Sequence, residues 1–185
     1  MKTKLTYFGH ACFMLTNGDV SMIFDPFLTG NTWDIEKKED IKCQYIFVSH
    51  GHDDHYGDTE FIAKANDALV ISTAEVAGKA AAAGCRTHAM HLGGKYDFEF
   101  GSVRIVPAFH GAGVPGGHAA GCIVNFFGDI VYFAGDTALF SDMKLLNRFG
   151  DIDYALLPIG DNYTMGVEDA ALAASYVKAR ISIPI

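Results

Sequence analysis

The stretch Ser49-His50-Gly51-His52-Asp53-Asp54-His55-Tyr56 carries three histidines and two aspartates within six consecutive positions. It follows the short apolar run Tyr45-Ile46-Phe47-Val48, which predicts a buried strand. A turn that directly follows a buried strand is held on a rigid support at the edge of a sheet. Imidazole nitrogens and carboxylate oxygens are the usual protein ligands of zinc, manganese and iron. The stretch therefore predicts a metal site at the end of this strand.

The spacing within this stretch divides its ligands into two sets. His50 and His52 are two positions apart, so both side chains can reach one ion if the turn stays extended. Asp54 and His55 are adjacent, and their side chains can point to a second ion beside the first. The alternative is a solvated surface loop rich in histidine. That alternative does not explain why so dense a cluster of ligands follows a buried strand.

Other apolar runs along the chain also end in a titratable residue. They are Phe24-Asp25, Phe109-His110, Ala134-Gly135-Asp136 and Ile159-Gly160-Asp161. If these strand ends converge on one rim, they form a polar cluster over an apolar floor, which is how binding sites are usually built. Each run alone is weak evidence, because aspartate commonly ends strands in turns.

The motif His50-x-His52-x-Asp54-His55 resembles the metal-binding signature of the metallo-β-lactamase superfamily. Further stretches resemble one branch of that superfamily, the little-characterised metal-dependent hydrolases similar to the ascorbate-6-phosphate lactonase. These stretches are Phe8-Gly9-His10-Ala11, Phe24-Asp25-Pro26-Phe27, His88-Ala89-Met90-His91-Leu92-Gly93-Gly94 and Leu157-Pro158-Ile159-Gly160-Asp161-Asn162. The resemblance covers essentially the whole chain, and it implies an αββα sandwich.

The order of predicted elements suits that fold. Strands are predicted at 5–8, 12–15, 20–24, 45–48, 68–72, 96–100, 103–109, 122–127, 130–134, 154–158 and 181–185, and helices at 58–66, 73–84, 141–149 and 167–179. Asp58, Thr73 and Ser141 are predicted to cap three of these helices, and residues 28–42 read as irregular. Two mixed sheets packed face to face, with helices outside, satisfy this order. We expect an α/β (α+β), four-layer αββα sandwich in a single domain over residues 1–185.

The composition of the chain argues against a nucleic-acid or membrane partner and indicates a reducing compartment. The formal net charge of −8 argues against a nucleic-acid surface, which needs clustered lysine and arginine. The chain has no apolar run long enough to span a bilayer, and its first residues, 1–5, lead into a strand pattern rather than a signal peptide. Cys12, Cys43, Cys85 and Cys122 are widely spaced, which is typical of reduced, mostly buried thiols in a cytoplasmic protein.

The residues and the resemblance favour the same ligand set. His110 is the candidate third ligand of the first metal, beside the two histidines of the motif. Asp136 is the candidate carboxylate that bridges both metals, and Asp54 and His55 are the candidate ligands of the second. Two alternatives remain open: His110 as a partly buried histidine in a glycine-rich loop, and Asp136 as part of an ordinary Gly-Asp turn.

Four further residues are candidates for roles around the metals. A carboxylate at Asp25 can accept hydrogen bonds from ring or backbone N–H groups and so fix the orientation of a ligand. His10 is a candidate catalytic residue that faces the pocket, and a structural histidine is the alternative. His118 is a candidate substrate contact or spare ligand, and Asp161 a candidate support or substrate contact. The histidines of residues 88–94 receive no role.

The end of the sequence affects the second metal. In the family, the strand that matches Ile181-Ser182-Ile183-Pro184-Ile185 is followed directly by a histidine, the remaining ligand of that metal. No residue follows Ile185 here, and the family's C-terminal segment is absent as well. With fewer protein ligands, we expect the first ion to be held firmly and the second weakly or not at all.

The predicted activity is metal-dependent hydrolysis. Two divalent ions about 3.5–4 Å apart activate a shared water without a serine or cysteine nucleophile. Zinc is the expected ion, and manganese, iron and cobalt also suit histidine and carboxylate donors. The resemblance implies an ester, lactone or phosphodiester bond in a small anionic substrate, with Asp54 orienting the nucleophile. Lys95, Arg104 and Arg148 are candidate cations for that substrate, without an argument from position.

Two other functions remain open. A metal-binding protein with impaired or no catalysis follows if the missing last ligand is essential. An RNA-processing enzyme is the other alternative, and the acidic balance of the chain weighs against it. The resemblance to the lactonase type also implies a homo-oligomer.

Overall fold

The structure, a computed structural model, describes residues 2–33 and 36–185. Met1 of the predicted lead into the first strand and residues 34–35 of the predicted irregular segment lie outside the described residues. The chain divides into two compact units. Unit 1 comprises Met1–His91 and Ala112–His118, and unit 2 comprises Leu92–Gly111 and Ala119–Ile185. Among the described residues, no helix combines the length and the apolar character needed to cross a membrane.

Unit 1 contains a six-stranded mixed sheet in the order β1-β2-β3-β4-β5-β6. The strands are β1 (Lys4–Gly9), β2 (Cys12–Asn17), β3 (Val20–Phe24), β4 (Tyr45–Phe47), β5 (Leu69–Thr73) and β6 (Arg86–Met90). Strands β1 to β3 form antiparallel hairpins, whereas β3 to β6 pair in parallel. The helices of the unit are α1 (Asp53–Tyr56), α2 (Thr59–Asn66) and α3 (Ala74–Ala82).

Unit 2 contains a second six-stranded mixed sheet, in the order β12-β11-β10-β9-β8-β7. The strands are β7 (Lys95–Phe98), β8 (Gly101–Pro107), β9 (Ala120–Phe126), β10 (Asp129–Phe133), β11 (Tyr154–Leu157) and β12 (Ile181–Pro184). Strands β7 to β10 are antiparallel, and β10 to β12 are parallel. A 3-10 helix covers Ser141–Phe149, and α4 covers Val167–Val177. The prediction of two mixed sheets is confirmed, and each sheet has six strands.

Each unit has its own hydrophobic core between its sheet and its helices. In unit 1, Ile46 of β4 packs in one cluster with Ile62 of α2 and Val76 of α3, and all three are fully buried. In unit 2, Tyr132 of β10 packs in one cluster with Ala173 of α4. Burying an aliphatic or aromatic side chain of this size contributes about 1.5–3 kcal/mol. These cores hold the strands rigidly, so the residues at the strand ends have a fixed support.

Three elements differ from the prediction, and the first is the short helix α1 (Asp53–Tyr56), which lies where only a turn was expected. Strand β6 was not predicted, because Arg86–Met90 alternates poorly between apolar and polar residues and is only partly buried. It pairs with β5 as the last strand of its sheet. Residues Ser141–Phe149 form a 3-10 helix where an α-helix was expected.

Asp58 and Thr73 occupy the N-cap positions predicted for α2 and α3, whereas Phe140, not Ser141, is the N-cap residue of the 3-10 helix. No side-chain hydrogen bond caps α2, α3 or the 3-10 helix. The Asp58 carboxylate instead accepts hydrogen bonds from Thr29 and Lys38, residues distant in sequence. The Thr73 hydroxyl donates to the carbonyl of His118. Both side chains therefore tie α2 and α3 to loops of unit 1 rather than to their own first turns.

Candidate metal centre

Two parallel neighbours, β3 and β4, end side by side in unit 1. Asp25 directly follows β3, and the histidine-rich stretch follows β4, so the pairing brings the two segments to the same edge of the sheet. The Asp25 N–H donates to the carbonyl of Phe47 at 2.9 Å. Asp25 has a φ of 39°, a left-handed conformation that costs energy for a non-glycine residue. Such a conformation persists only where the surroundings determine it.

The Asp25 carboxylate connects three other groups of the site. One oxygen accepts from the Ser49 N–H at 2.7 Å, and the other accepts from the Ser49 hydroxyl at 2.5 Å. The second oxygen also lies 2.7 Å from Nδ1 of His55. Asp25, Ser49 and His55 are at most 1% exposed, so each polar group here needs its partner. An ionised carboxylate only accepts, so His55 donates from Nδ1 and presents Nε2 as its acceptor nitrogen.

The same network reaches the other two histidines of the motif. The Ser49 oxygen lies 2.9 Å from Nδ1 of His50. Because the hydroxyl hydrogen goes to Asp25, the oxygen accepts from His50 Nδ1–H, and this assigns Nε2 as the acceptor nitrogen of His50. That Nε2 lies 2.9 Å from Nδ1 of His52. Two imidazole nitrogens at this separation face the same small volume.

A fourth histidine, His10, lies beside Asp54. His10 follows β1 and has a φ of 52°. Its Nε2 lies 3.4 Å from Oδ2 of Asp54, and the same oxygen is 3.9 Å from Nε2 of His55. The His10 and His55 ring centroids are 4.9 Å apart. Helix α1 begins at Asp53, so Asp54 and His55 stand on one short helical turn, whereas His52 directly before it has an extended backbone.

Two groups of three residues in unit 1 have the chemistry and spacing for a cation. In each group, one potential ligand atom per residue lies within 4.8 Å of the others. The groups are His10, Asp54 and His55, and Asp25, His50 and His55. Zinc bonds to nitrogen and oxygen are about 2.0–2.2 Å long, so ligand atoms around one ion are separated by somewhat less than twice that length. The imidazole and carboxylate donors of unit 1 therefore fit a divalent cation.

Unit 2 holds two further predicted site residues, which are paired with each other. Nε2 of His110 lies 3.5 Å from Oδ2 of Asp136, and both side chains are at most 15% exposed. Thr137, directly after Asp136 in the chain, is fully buried. Its hydroxyl oxygen accepts from the Phe109 N–H at 3.0 Å and its hydroxyl donates to the Ala138 carbonyl at 2.8 Å. The loops after β8 and β10 are thereby tied together next to His110 and Asp136.

The last two predicted site residues, His118 and Asp161, have contacts outside the histidine and aspartate groups described above. The His118 ring lies 5.4 Å, centroid to centroid, from the ring of His91. Asp161 is exposed in a turn after β11 and has a φ of 60°. Its N–H donates to the Met165 carbonyl at 3.0 Å, and its own carbonyl accepts from the Thr164 N–H at 2.7 Å. Through these two backbone hydrogen bonds, Asp161 stabilises the turn that follows β11.

Sequence reasoning missed three residues that position the candidate ligands. Ser49 and Thr137 connect ligand-bearing loops by side-chain hydrogen bonds, and a signal for Ser49 was present, because it stands directly before His50. Gly113 has a φ of +67°, and a Cβ there would overlap the backbone nitrogen of His52. The glycine-rich segment thus packs directly on the motif, and the sequence analysis did not predict this contact.

The cysteines have a different character from the histidines. Burial raises the pKa of the Cys43 thiol to about 12. Burial also raises the pKa of Cys12, and the nearby carboxylate of Asp25 raises it further. Cys12, Cys43 and Cys122 are buried and Cys85 is partly buried, as expected. Protonated thiols at Cys12 and Cys43 make poor metal ligands, since a thiolate is the ligand form.

Comparison with known families decides the classification. The family described as the beta-lactamase superfamily domain matches residues 4–185. The chain belongs to the metallo-β-lactamase superfamily. It is 50% identical over 182 residues to a UPF0173 metal-dependent hydrolase of Natranaerobius thermophilus, covering 98% of this chain and 82% of that protein. A UPF0173 metal-dependent hydrolase of Bacillus subtilis is 46% identical over 191 residues, covering 98% and 84%.

Solved structures of the superfamily confirm the expected fold class. Igni18, a metallo hydrolase from Ignicoccus hospitalis, matches with a TM-score of 0.91 and 30% identity over 98% of this chain and 81% of that one. A metal-dependent hydrolase from Parabacteroides distasonis matches with a TM-score of 0.82 and 27% identity, covering 98% and 81%. The predicted class, a metal-dependent hydrolase of the metallo-β-lactamase superfamily, is confirmed at the level of the family, with a divalent metal as the cofactor. The narrower similarity to the lactonase stays a prediction.

Proposed function

We propose that this protein hydrolyses an ester, lactone or phosphodiester bond of a small anionic substrate and uses zinc as its cofactor. Its relatives are named metal-dependent hydrolases, which supports the reaction class. The histidine and carboxylate donors support zinc, and manganese, iron and cobalt suit the same donors. The lactonase-like stretches around residues 88–94 and 157–162 support the anionic substrate by resemblance.

We propose six protein ligands for up to two ions. They are His50, His52, His110, Asp54, His55 and Asp136. Within unit 1, the proposal is supported by the 2.9 Å separation of ring nitrogens of His50 and His52 and by the approach of Asp54 to His55. Within unit 2, it is supported by the pairing of His110 with Asp136. That the two sets act on one centre rests on the superfamily motif.

The bound ion would supply Lewis-acid activation of a water and of the scissile bond. The chain itself would orient that water and receive its proton. Asp54 suits this role because its side chain is 50% exposed, and it is 3.4 Å from His10, which can share the proton. His10 is 38% exposed and stands beside Phe27, with ring centroids 5.8 Å apart. We assign Asp54 and His10 as the catalytic residues, and His118 and Asp161 as candidate substrate contacts.

The observation that carries this proposal is the buried pair of Asp25 and His55. A carboxylate that accepts from one ring nitrogen of a histidine fixes the ring's orientation and makes the other nitrogen a better ligand. Asp25 is 0% exposed and also holds Ser49, which orients His50. Burying a carboxylate completely costs desolvation free energy, which its hydrogen bonds only partly offset. A role in orienting two metal-binding histidines explains why a carboxylate stands at this position.

An assay with a generic substrate panel tests the proposal. The metal-loaded protein should hydrolyse at least one of a nitrophenyl ester, a lactone and a nitrophenyl phosphodiester, and chelation should abolish the turnover. Asp54→Asn should lower kcat about 100-fold or more, because it removes the proton acceptor. Asp53→Asn is the matched control: it is exposed on the same short helix and removes the same charge, so its activity should stay near wild type. Metal-loaded protein without turnover on all three substrates, or turnover that resists chelation, would contradict the proposal.

We also propose that residues 1–185 act as one metallo-β-lactamase-like domain in the cytoplasm. The continuous family match over residues 4–185 supports one domain, and the wide spacing of the cysteines supports a reducing compartment. A single cooperative transition in calorimetry is expected for one domain. Two resolved transitions would contradict it.

The net charge of −8 supports a protein without a nucleic-acid partner, and salt-sensitive RNA binding would contradict this proposal.

A further inference from the structure

A groove of about 360 Å³ opens on unit 2 between its antiparallel strands and its 3-10 helix. Its lining includes three cations, two neutral polar side chains and one aromatic ring. These are Lys95, Arg104, Arg148, Ser102, Asn125 and Phe149. The chain has only 14 lysines and arginines and a net charge of −8. Three cations that line one groove in so acidic a protein indicate a site for a negatively charged ligand.

The strand register places two of these cations opposite each other. Lys95 on β7 pairs directly with Arg104 on β8 in the antiparallel ladder. Like charges directly opposite one another destabilise a sheet unless an anion lies between them. Lys95 is partly compensated, since its Nζ lies 2.6 Å from Oδ1 of Asp97. Within residues 2–33 and 36–185, neither Arg104 nor Arg148 forms an ion pair with a carboxylate.

Arg104 is held in place by neutral groups. Its Nη1 donates to the carbonyl of Gly93 at 3.0 Å, and its guanidinium carbon lies 4.3 Å from the centre of the Phe149 ring. A stacked guanidinium retains in-plane N–H donors, whose fork matches the oxygens of a phosphate or carboxylate. The side chain is therefore orientated before any ligand arrives, which lowers the entropy cost of binding.

Neutral donors accompany the cations on the next strand pair. Ser102 on β8 lies opposite Asn125 on β9. The Asn125 Oδ1 accepts from the Gly128 N–H at 2.9 Å, so the amide nitrogen is the donor end of that side chain. Hydroxyl and amide donors beside guanidinium groups are typical of sites that bind an oxyanion from several sides.

The groove lies away from the candidate metal ligands of unit 2. Ser102, Asn125 and Ile130 are adjacent in the ladder, near the start of β8, the end of β9 and the start of β10. His110 and Asp136 follow the opposite ends of β8 and β10. The six residues from Ser102 to Pro107 in β8 span roughly 16 Å. The groove is thus separate from the part of unit 2 that carries His110 and Asp136.

We propose that this groove binds a small phosphate-bearing anion, such as inorganic phosphate or a phosphate monoester. Three cations and the Asp97 carboxylate leave two positive charges in and beside the groove. A phosphate monoester carries about −1.5 to −2 charges at neutral pH, which matches that balance. The planar donor fork of Arg104, together with the Lys95 ammonium and the Arg148 guanidinium, suits a tetrahedral oxyanion.

Calorimetric titration of the metal-loaded protein with inorganic phosphate and with glycerol phosphate tests the proposal. Arg148→Gln and Arg104→Gln should each weaken binding about tenfold, because each removes a charged hydrogen-bond donor. Lys144→Gln is the matched control, since it removes the same charge from the same 3-10 helix but lies over Tyr176, outside the groove. Its affinity should stay within about twofold of wild type, as expected where only long-range charge changes.

The outcomes separate the groove from a metal centre. Arg148 is exposed, so its variant should fold even if Arg104→Gln proves unstable. Tighter binding of glycerol phosphate than of inorganic phosphate would identify an ester as the ligand, and equal binding would identify phosphate itself; both support the groove. The proposal is overturned if the wild-type protein binds neither probe, if Lys144→Gln weakens binding as much as Arg148→Gln, or if all binding disappears on chelation and survives in Arg148→Gln.

Discussion

Nδ1 of His55 lies 2.7 Å from Oδ2 of Asp25, and both side chains are 0% exposed. The two residues are 30 positions apart in the chain, and the parallel pairing of β3 with β4 brings them together. The same carboxylate accepts two hydrogen bonds from Ser49. Orientation of His55, and of His50 through Ser49, therefore depends on one buried carboxylate.

Asp25→Asn should lower both stability and metal affinity. An asparagine keeps one acceptor oxygen and replaces the other with an NH₂ group, which then faces a donor from Ser49 or His55. An unsatisfied buried donor costs about 1–3 kcal/mol, and loss of a carboxylate that orients a ligating histidine lowers metal affinity about 10–100-fold. Urea unfolding of chelated protein measures the first effect, and competition with a zinc-binding dye measures the second. Asp19→Asn, in an exposed hairpin turn, is the control. Unchanged zinc affinity in Asp25→Asn would refute the orienting role.

His10→Asn tests whether His10 acts in catalysis or holds metal. Asparagine tolerates the φ of 52° at this position, so the backbone should be preserved. As a proton-sharing partner of Asp54, His10 should contribute about 100-fold to kcat, without loss of bound metal. Activity and metal content are measured on the same preparation. A variant that loses metal in parallel with activity would make His10 a ligand instead, and a fully active variant would make it structural.

Gly113→Ala should disturb the metal centre more than Gly116→Ala. Both glycines have a left-handed φ, +67° and +73°, so alanine carries a similar backbone penalty of about 1 kcal/mol at each position. At Gly113 a Cβ would also overlap the backbone of His52, whereas at Gly116 it meets nothing within 4 Å. Zinc affinity and Tm of the two variants provide the comparison. Equal effects in the two variants would show that the packing of this segment on the motif does not matter.

Asp58 should make stability depend on pH in acid. Burial would raise the pKa of its carboxyl, but hydrogen bonds from Thr29, Lys38 and Leu28 outweigh burial and hold the pKa below its usual value. A carboxyl with a lowered folded pKa stabilises the protein above its unfolded pKa, and this contribution is lost as the pH falls through the folded pKa. The affected window therefore lies below about pH 4.

The variant Asp58→Asn isolates this contribution. It should be less stable than wild type at pH 7 by about 1–3 kcal/mol, because charge-assisted hydrogen bonds are lost, and its stability should fall less steeply below pH 4. Urea unfolding at several pH values measures both. Asp67→Asn is the control: Asp67 pairs with Arg86 at the surface, where an ion pair contributes at most about 1 kcal/mol. Parallel pH curves for wild type and Asp58→Asn would exclude the predicted role.

Local signals explain what could be predicted. The strands predicted at 12–15 and 20–24, and those predicted at 122–127 and 130–134, pair in the structure as two antiparallel hairpins. Strand β6 could not be predicted, because Arg86–Met90 has no clear pattern and its pairing depends on β5. The same holds for Asp58, whose position suggested a cap but whose partners lie at Thr29 and Lys38.

The sequence by itself determined the superfamily, the two mixed sheets and the candidate ligands, because the motif at residues 50–55 and the strand patterns are contiguous in the chain. Only the tertiary structure decided how those ligands are held. The contacts of Asp25 with Ser49 and His55, and of Thr137 with Phe109, join residues 24 to 30 positions apart. It also decided that Lys95, Arg104 and Arg148 line one groove. Hydrogen bonds and charge pairs act over a few ångströms, so they depend on which strand ends the folded chain brings together, and spacing along the sequence does not specify that.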